Sequence, residues 1–207
     1  MEFSQLVQAR RSVRQYQAGV EISDAELEAI FAEVILSPSS FNMQHWQFVV
    51  VRDAARKQTL RGLSYGQAQV EQCAAAVLVC GRLDAHLDAD RIYADGGEAA
   101  RDKYVPMIKG VYKDQPLLQR EEAIRSGALA AMSLMYAAKN RGWDSGPMIG
   151  FDASKVSSLL ELPANISPVM LVVIGKALAD SVPPRAYRRP LSEVVHLETM
   201  SGASLGA

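Results

Sequence analysis

Strand-forming sequence is scarce in this chain, and its placement limits the fold more than any other feature. Three runs carry the β-branched, aromatic or continuously apolar content of strands: Trp46-Gln47-Phe48-Val49-Val50-Val51, residues 74–80, and Val169-Met170-Leu171-Val172-Val173-Ile174, which ends at Gly175. Helical patterns lie between them at uneven intervals. A regular doubly wound fold needs steady alternation of strand and helix, so this spacing predicts an α+β fold, a mixed sheet with helices around it.

The helices are legible from their periodicity. A short one is expected over 2–10, with Phe3, Leu6 and Val7 on one face, followed by a basic turn over 10–17. Ser23 and Glu26 have the spacing of a capping box. After them Leu27, Ile30, Phe31, Val34 and Ile35 mark an amphipathic helix that Pro38 stops. Residues 53–62, 67–72 and 152–161 also read as helical, and 145–150 as a loop. The strongest helix covers 120–141. Its small residues Gly127, Ala128, Ala130 and Ala131 let another backbone come close, and long small-residue helices beside a small sheet point to a core completed by a second subunit. Gly96-Gly97, Pro106 and Pro116 interrupt weak helical patterns over 81–118, which is expected to be a helical excursion from the core. The whole chain, 1–207, reads as a single domain with that excursion and an extended tail from about 180 that is rich in Pro and Arg.

Charge and motifs exclude several functions. The net charge is −1, too small for bulk attraction to nucleic acid or to an anionic membrane. No apolar run approaches the roughly 20 residues that span a bilayer. The N-terminus carries no signal-peptide pattern, and the expected location is cytoplasmic. Cys73 and Cys80 bracket an apolar strand that holds them apart, so they are expected to be free thiols. There is no G-x-G-x-x-G after a strand. Gly175-Lys176 is followed by Ala177, so no Walker loop is present. No Gly-x-Ser-x-Gly occurs, and His45, His86 and His196 stand alone, without the spacing of a metal site.

Arginine is clustered in spite of the neutral total. Arg10, Arg11 and Arg14 lie near one end of the chain, and Arg185, Arg188 and Arg189 near the other. Arg10, Arg11, Ser12 and Arg14 present forked donors and a hydroxyl that can surround a phosphate; a solvated basic face that compensates a helix C-terminus reads equally well. Ser39, Ser40, Asn42 and Gln44 offer short polar groups to a ribityl chain and a heterocycle edge, or are simply turn residues. Gly146-Pro147-Met148-Ile149-Gly150 is either a plain turn or a stiff segment whose last glycine lets a ligand approach the backbone.

Taken in order, these segments resemble the nitroreductase family of flavoenzymes. The resemblance is carried by Ala9-Arg10-Arg11-Ser12-Val13-Arg14, by residues 37–46, by residues 146–152, and by Arg188-Arg189-Pro190-Leu191-Ser192-Glu193-Val194-Val195. It spans about residues 3 to 195. It implies a mainly antiparallel sheet in an intertwined homodimer, with FMN at the interface touching both subunits. Arg10, Ser12 and Arg14 then fall on FMN contacts, with Arg11 beside them; Arg10 serves the phosphate, and Arg14 the ribityl and pyrimidine side. Pro38, Ser39, Ser40, Asn42 and Gln44 match the loop lent by the other subunit. Pro147, Ile149 and Gly150 match the backbone beside flavin N5. Arg188 matches a phosphate arginine of the tail, with Arg185 and Arg189 as neighbours. The chain departs from the family at Gly66-Gln67-Ala68-Gln69, where Asn and a nearby Lys are common; Gln67 or Gln69 is the candidate substitute, without positive charge. The implied reaction passes hydride from NAD(P)H to flavin N5 and on to a nitroaromatic, quinone or related acceptor, by a ping-pong mechanism and with no assigned catalytic side chain. Two alternatives are a reductase or dehydrogenase for one metabolite, with Tyr93, Tyr104 and Tyr112 shaping its pocket, and a non-catalytic flavin-binding protein.

Overall fold

Four strands form one antiparallel sheet in the computed structural model, which describes residues 1–206. They are β1 (Trp46–Val51), β2 (Ala75–Arg82), β3 (Asp144–Met148) and β4 (Ile166–Gly175), in the spatial order β1-β2-β4-β3. Among the described residues the only parallel pairing is an isolated bridge between Ser12 and Ser145. The helices are α1 (Phe3–Ala9), α2 (Asp24–Val34), α3 (Ala54–Leu63), α4 (Gln69–Gln72), α5 (Ala89–Ile92), α6 (Glu98–Tyr112), α7 (Pro116–Asn140), α8 (Ala153–Leu159) and α9 (Leu191–Val194).

The two central strands are apolar on both faces because both faces are covered. Side chains alternate across a strand, and here the alternation divides the core. Ala75, Val77, Val79, Val172 and Ile174 pack with Leu27, Ile30 and Val34 of α2 and Leu134 of α7. Ala76, Leu78, Cys80, Leu171 and Val173 pack on the other face with Leu60, Val70, Val156 and Leu160. Both cysteines are free and buried within these strands and their approach, and burial pushes each thiol up to about 12. No helix among the described residues is long and apolar enough to cross a membrane.

The structure corrects three expectations. The segment expected as a loop over 145–150 contains β3, which pairs Gly146 with Val173 and Pro147 with Val172. Asp-Ser-Gly-Pro-Met lacks β-branched residues, and an edge strand can carry a proline whose missing N–H faces away from the ladder. Second, α6 runs through Pro106. The lost backbone bond and steric clash, about 3 kcal/mol, are offset by burial of Val105, Ile108 and Tyr112 on the opposite side. Third, α7 begins at Pro116, an N-terminal position where the absent N–H is no loss. The small residues of α7 do let another backbone come close, and within one chain that backbone is its own sheet. A Cβ on Gly81 would lie 2.5 Å from the Ala123 carbonyl oxygen, and one on Gly127 would lie 2.8 Å from a Val169 methyl. The helix therefore rests directly on β2 and β4; of the four residues, Ala128 alone faces solvent.

The capping box at α2 forms as expected, with the Glu26 N–H donating to Ser23 Oγ at 3.2 Å and the Ser23 N–H to Glu26 Oε2 at 3.0 Å. The helix ends one residue early, leaving Ile35 exposed. Residues 85–112 hold a small apolar cluster of their own, built on Ala85, Ala89, Val105, Ile108 and Tyr112 together with Met43. From Leu178 to Gly206 no residue is buried, although Tyr187, Leu191, Val194 and Met200 are all large and apolar.

Candidate functional site

The basic run leaves α1 in an extended conformation and docks on the edge of the sheet. The Val13 N–H donates to the Ser145 carbonyl at 3.0 Å, and the Gln17 N–H to the Lys176 carbonyl at 2.9 Å. Val13 and Tyr16 are buried in the core, and the Tyr16 hydroxyl donates to the Val13 carbonyl at 3.1 Å. Pinned at those two points, the run turns Arg10, Arg11, Ser12 and Arg14 outward. The tail comes back to meet them. Pro183 and Pro184 restrict the backbone ahead of Arg185, whose guanidinium donates to the Val7 carbonyl at 2.8 Å and the Gln8 carbonyl at 3.1 Å. Both ends of the chain thus line one cavity of about 430 Å³ containing Arg10, Arg11, Ser12, Arg14, Arg185 and Arg188.

The electrostatics of this cavity are one-sided. Among the described residues, none of those five arginines has a carboxylate within ion-pair distance, and Arg10 and Arg14 make no side-chain hydrogen bond. Desolvation first, then repulsion from Arg11, Arg188 and Arg10, holds Arg185 below its usual value. Arg11 and Arg185 satisfy part of the second reading of the cluster, since both bond carbonyls at the end of α1. Arg10, Arg14 and Arg188 do not. A second cavity of about 130 Å³ shares Ser12 and Arg14 with the first and adds Gln67, Gln69, Gly146 and Pro147. A larger groove of about 840 Å³ runs between residues 18–22 and α3. Its cations are already engaged, Lys57 on the Cys73 carbonyl and Arg52 on Ile22 and Asp24.

Other expected residues separate from this group. Arg189 pairs with Glu193 at 3.5 Å and does not line the cavity. Ile149 lies past the end of β3 and is 76% exposed. Gly150 accepts at its carbonyl from the Gln67 amide at 2.8 Å; the same amide nitrogen donates to Ser64 at 3.0 Å, while Gln67 Oε1 accepts from Gln69 at 3.0 Å. Every polar valence seen on Gln67 is directed to the protein, whereas the Gln69 side chain keeps one amide N–H and its Oε1 without a partner among the described residues. Sequence reasoning passed over Pro183 and Pro184, whose adjacent prolines just before an arginine cluster were a readable signal. It also passed over Tyr16, whose anchoring role depends on contacts far away in sequence.

The loop at 37–45 stands elsewhere. Ser37 is buried and donates to the Val34 carbonyl at 2.7 Å, and Pro38 is exposed. Ser39 Oγ accepts from the Gln44 N–H at 2.9 Å, the Gln44 amide donates to the Asn42 carbonyl at 3.3 Å, and Ser40 Oγ lies 3.0 Å from the Tyr112 hydroxyl. The loop leads into β1, at the far edge from β3 and the far end of β4. Across the pairings Trp46–Gly81–Ser167 and Ile174–Ser145, Trp46 at the end of the loop is three strand spacings and seven residues of strand from Ser145, on which the arginine run docks, roughly 25 Å. That is too wide for one mononucleotide to bridge within a single copy.

His45 closes the loop beneath the sheet edge, with Nδ1 3.1 Å from Ser126 Oγ. Burial pushes its pKa down to about 4, so the native imidazole stays neutral. The unfolded side chain titrates near 6.5. Between the two values the unfolded chain binds more protons, and stability falls as pH falls from 6.5 to about 4. We expect this group to remove about 2 kcal/mol of stability between about pH 7.5 and about pH 5. Urea unfolding of His45→Gln at both pH values checks it: the variant should lose that much less, and equal acid losses would refute the assignment.

Similarity to known proteins agrees with this geometry. Residues 7–176 match the family model described as "Nitroreductase family". The chain is 38% identical over 202 residues to MhqN of Bacillus subtilis, named as an NAD(P)H nitroreductase, covering 94% of this chain and 98% of that one. A nitroreductase-type protein from Exiguobacterium sibiricum, solved in complex with FMN, superposes with a TM-score of 0.87 at 32% identity, over 94% of this chain and 96% of that one. The CLA biosynthesis enone reductase of Lactiplantibacillus plantarum is 29% identical over 188 residues, covering 86% and 87% of the two chains. A match across the sheet, both of its faces and the arginine run leaves one conclusion, that this chain belongs to the nitroreductase family.

Proposed function

We propose that this chain binds FMN as a homodimer and carries hydride from NAD(P)H to a nitroaromatic, quinone or related acceptor by a ping-pong mechanism. The observation that carries this reading is the cavity of five arginines without a carboxylate partner. A phosphate monoester brings a charge of about −1.5 to −2, which relieves the mutual repulsion of Arg10, Arg185 and Arg188. Arg10 and Arg188 hold the phosphate. Ser12 and Arg14 continue into the second cavity, where Gln69 offers its free amide valences to a heterocycle edge and Pro147 forms a rigid wall. Gln67 acts indirectly by fixing the Gly150 backbone. Arg14 is the cation placed to balance negative charge at that edge, in the role that the absent lysine would have had.

Bound FMN supplies the two-electron carrier that accepts hydride from NAD(P)H and returns it to the acceptor. The chain's residues bind, orient and exclude water, and no side-chain acid or base is required. A homodimer is supported by the loop at 38–44, which reaches a cofactor in the arginine cavity only from a second copy, and by the apolar residues left exposed along the tail. The enone reductase relative supports a second reading, reduction of one conjugated metabolite with nitro reduction incidental.

Flavin absorbance in the purified or FMN-reconstituted protein, and its bleaching by NADH or NADPH without oxygen, tests the proposal. A protein that cannot be loaded with FMN would overturn it. A loaded protein that neither nicotinamide bleaches would leave only the non-catalytic alternative. Turnover with nitro, quinone and enone acceptors then separates the two enzymatic readings.

A further inference from the structure

The loop Ser39–Gln44 holds a shape that it would not take unaided. Phe41, Asn42 and Gln44 have φ of 50°, 54° and 48°. Left-handed backbone brings a Cβ close to the following carbonyl oxygen, and it persists where the surroundings impose it. The bonds of Ser39 and Asn42 to Gln44 close the loop on itself. The remaining constraint comes from residues 85–112. Met43 is 3% exposed, packed with Ala85, Ala89, Val105 and Ile108. The Tyr93 hydroxyl donates to the Phe41 carbonyl at 3.3 Å. The Tyr112 hydroxyl meets Ser40 Oγ at 3.0 Å.

Tyr112 is itself held firmly. It is 3% exposed, its ring stacks on His86 at 5.8 Å and meets Phe41 edge-on at 6.4 Å, and its carbonyl accepts from the Gln119 amide at 2.7 Å. Its hydroxyl has no other partner among the described residues. When it donates to Ser40 Oγ it is satisfied, and the serine proton stays available to an acceptor outside the loop.

We infer that Tyr112 is a positioning residue of the cofactor site, aligning Ser40 so that its O–H points toward an oxygen of the FMN held by a second copy. This rests on the reading above that the loop contacts FMN. The excursion is thereby a brace for the cofactor loop, and its conformation reaches the flavin through one hydroxyl pair.

Tyr112→Phe keeps the ring, its stacking and the apolar cluster. Flavin titration of the full-length dimer should show an FMN dissociation constant raised about fivefold, with the melting midpoint of the FMN-free protein lowered by no more than about 4 °C. Ser40→Ala should weaken binding at least as much. The S40A/Y112F double variant should bind no more weakly than Ser40→Ala alone, which a merely structural tyrosine would not produce. Wild-type affinity in Tyr112→Phe overturns the inference and leaves the FMN reading standing, and so do losses that simply multiply in the double variant. A wild-type protein that takes up no FMN overturns both.

Discussion

Gly146→Ala should detach the arginine run from the sheet, lowering stability by about 3 kcal/mol and abolishing measurable FMN binding. The new Cβ would stand 2.5 Å from the Val13 carbonyl oxygen and 3.2 Å from both the Tyr16 hydroxyl and a Val173 methyl. A backbone carbonyl cannot rotate away as a side-chain end can. The run must therefore move as a unit, which breaks the Val13–Ser145 hydrogen bond and lifts Val13 and Tyr16 from the core. Arg10, Ser12 and Arg14 lose their common origin at the same moment. Gly110→Ala is the control, since a Cβ there meets nothing within 4 Å and α6 gains a better helix former. Urea unfolding and flavin titration of both variants check the contrast. Wild-type stability in Gly146→Ala would mean that the run does not lie against β3.

Removing the arginines should have the opposite signature. Arg10→Ala and Arg188→Ala should each weaken FMN binding by about tenfold to a hundredfold, as expected for the loss of a charge-assisted contact of about 1.5–3 kcal/mol. The FMN-free protein should be no less stable, and slightly more so at low salt, because each substitution removes a cation from a like-charged cluster. The affinity of the wild type should fall with added salt more steeply than that of either variant. Arg189→Ala should leave affinity unchanged, since Arg189 is paired with Glu193 outside the cavity. Equal affinity in Arg10→Ala and the wild type would remove Arg10 from the phosphate site.

The division between sequence and tertiary structure follows from the range of the interactions involved. Helix α2 was readable to within a residue, because its capping box and its 3.6-residue stripe lie within one segment. The strands β1, β2 and β4 were readable for the same reason, since burial on a pleated surface selects β-branched and apolar residues locally. The arginines were visible as a composition anomaly in a nearly neutral chain, and four ordered segments identified the family.

Pairing was not visible. Strand β3 exists because β4 offers it an edge, and nothing in Asp-Ser-Gly-Pro-Met announces a strand. Helix α6 crosses Pro106 because Ile108 and Tyr112 have a cluster to bury into. The small face of α7 signalled a close backbone approach, and only the structure shows that the chain's own sheet makes one, at Gly81 and Gly127. Periodicity tells which face of an element is apolar, but not which surface will cover it.

The site divides in the same way. By itself the sequence determined that clustered arginines lie near both ends of the chain and that short polar groups precede β1. Tertiary structure alone decided that Arg10 and Arg188 share a cavity while Ser40 lies outside it, in the loop at the opposite edge of the sheet. It also decided that Gln67 serves Gly150 and that Tyr112, 72 residues away in sequence, holds Ser40. Residue chemistry is local and can be read along the chain, whereas distance between residues is set by sheet order and register, which arise only when remote segments bury one another.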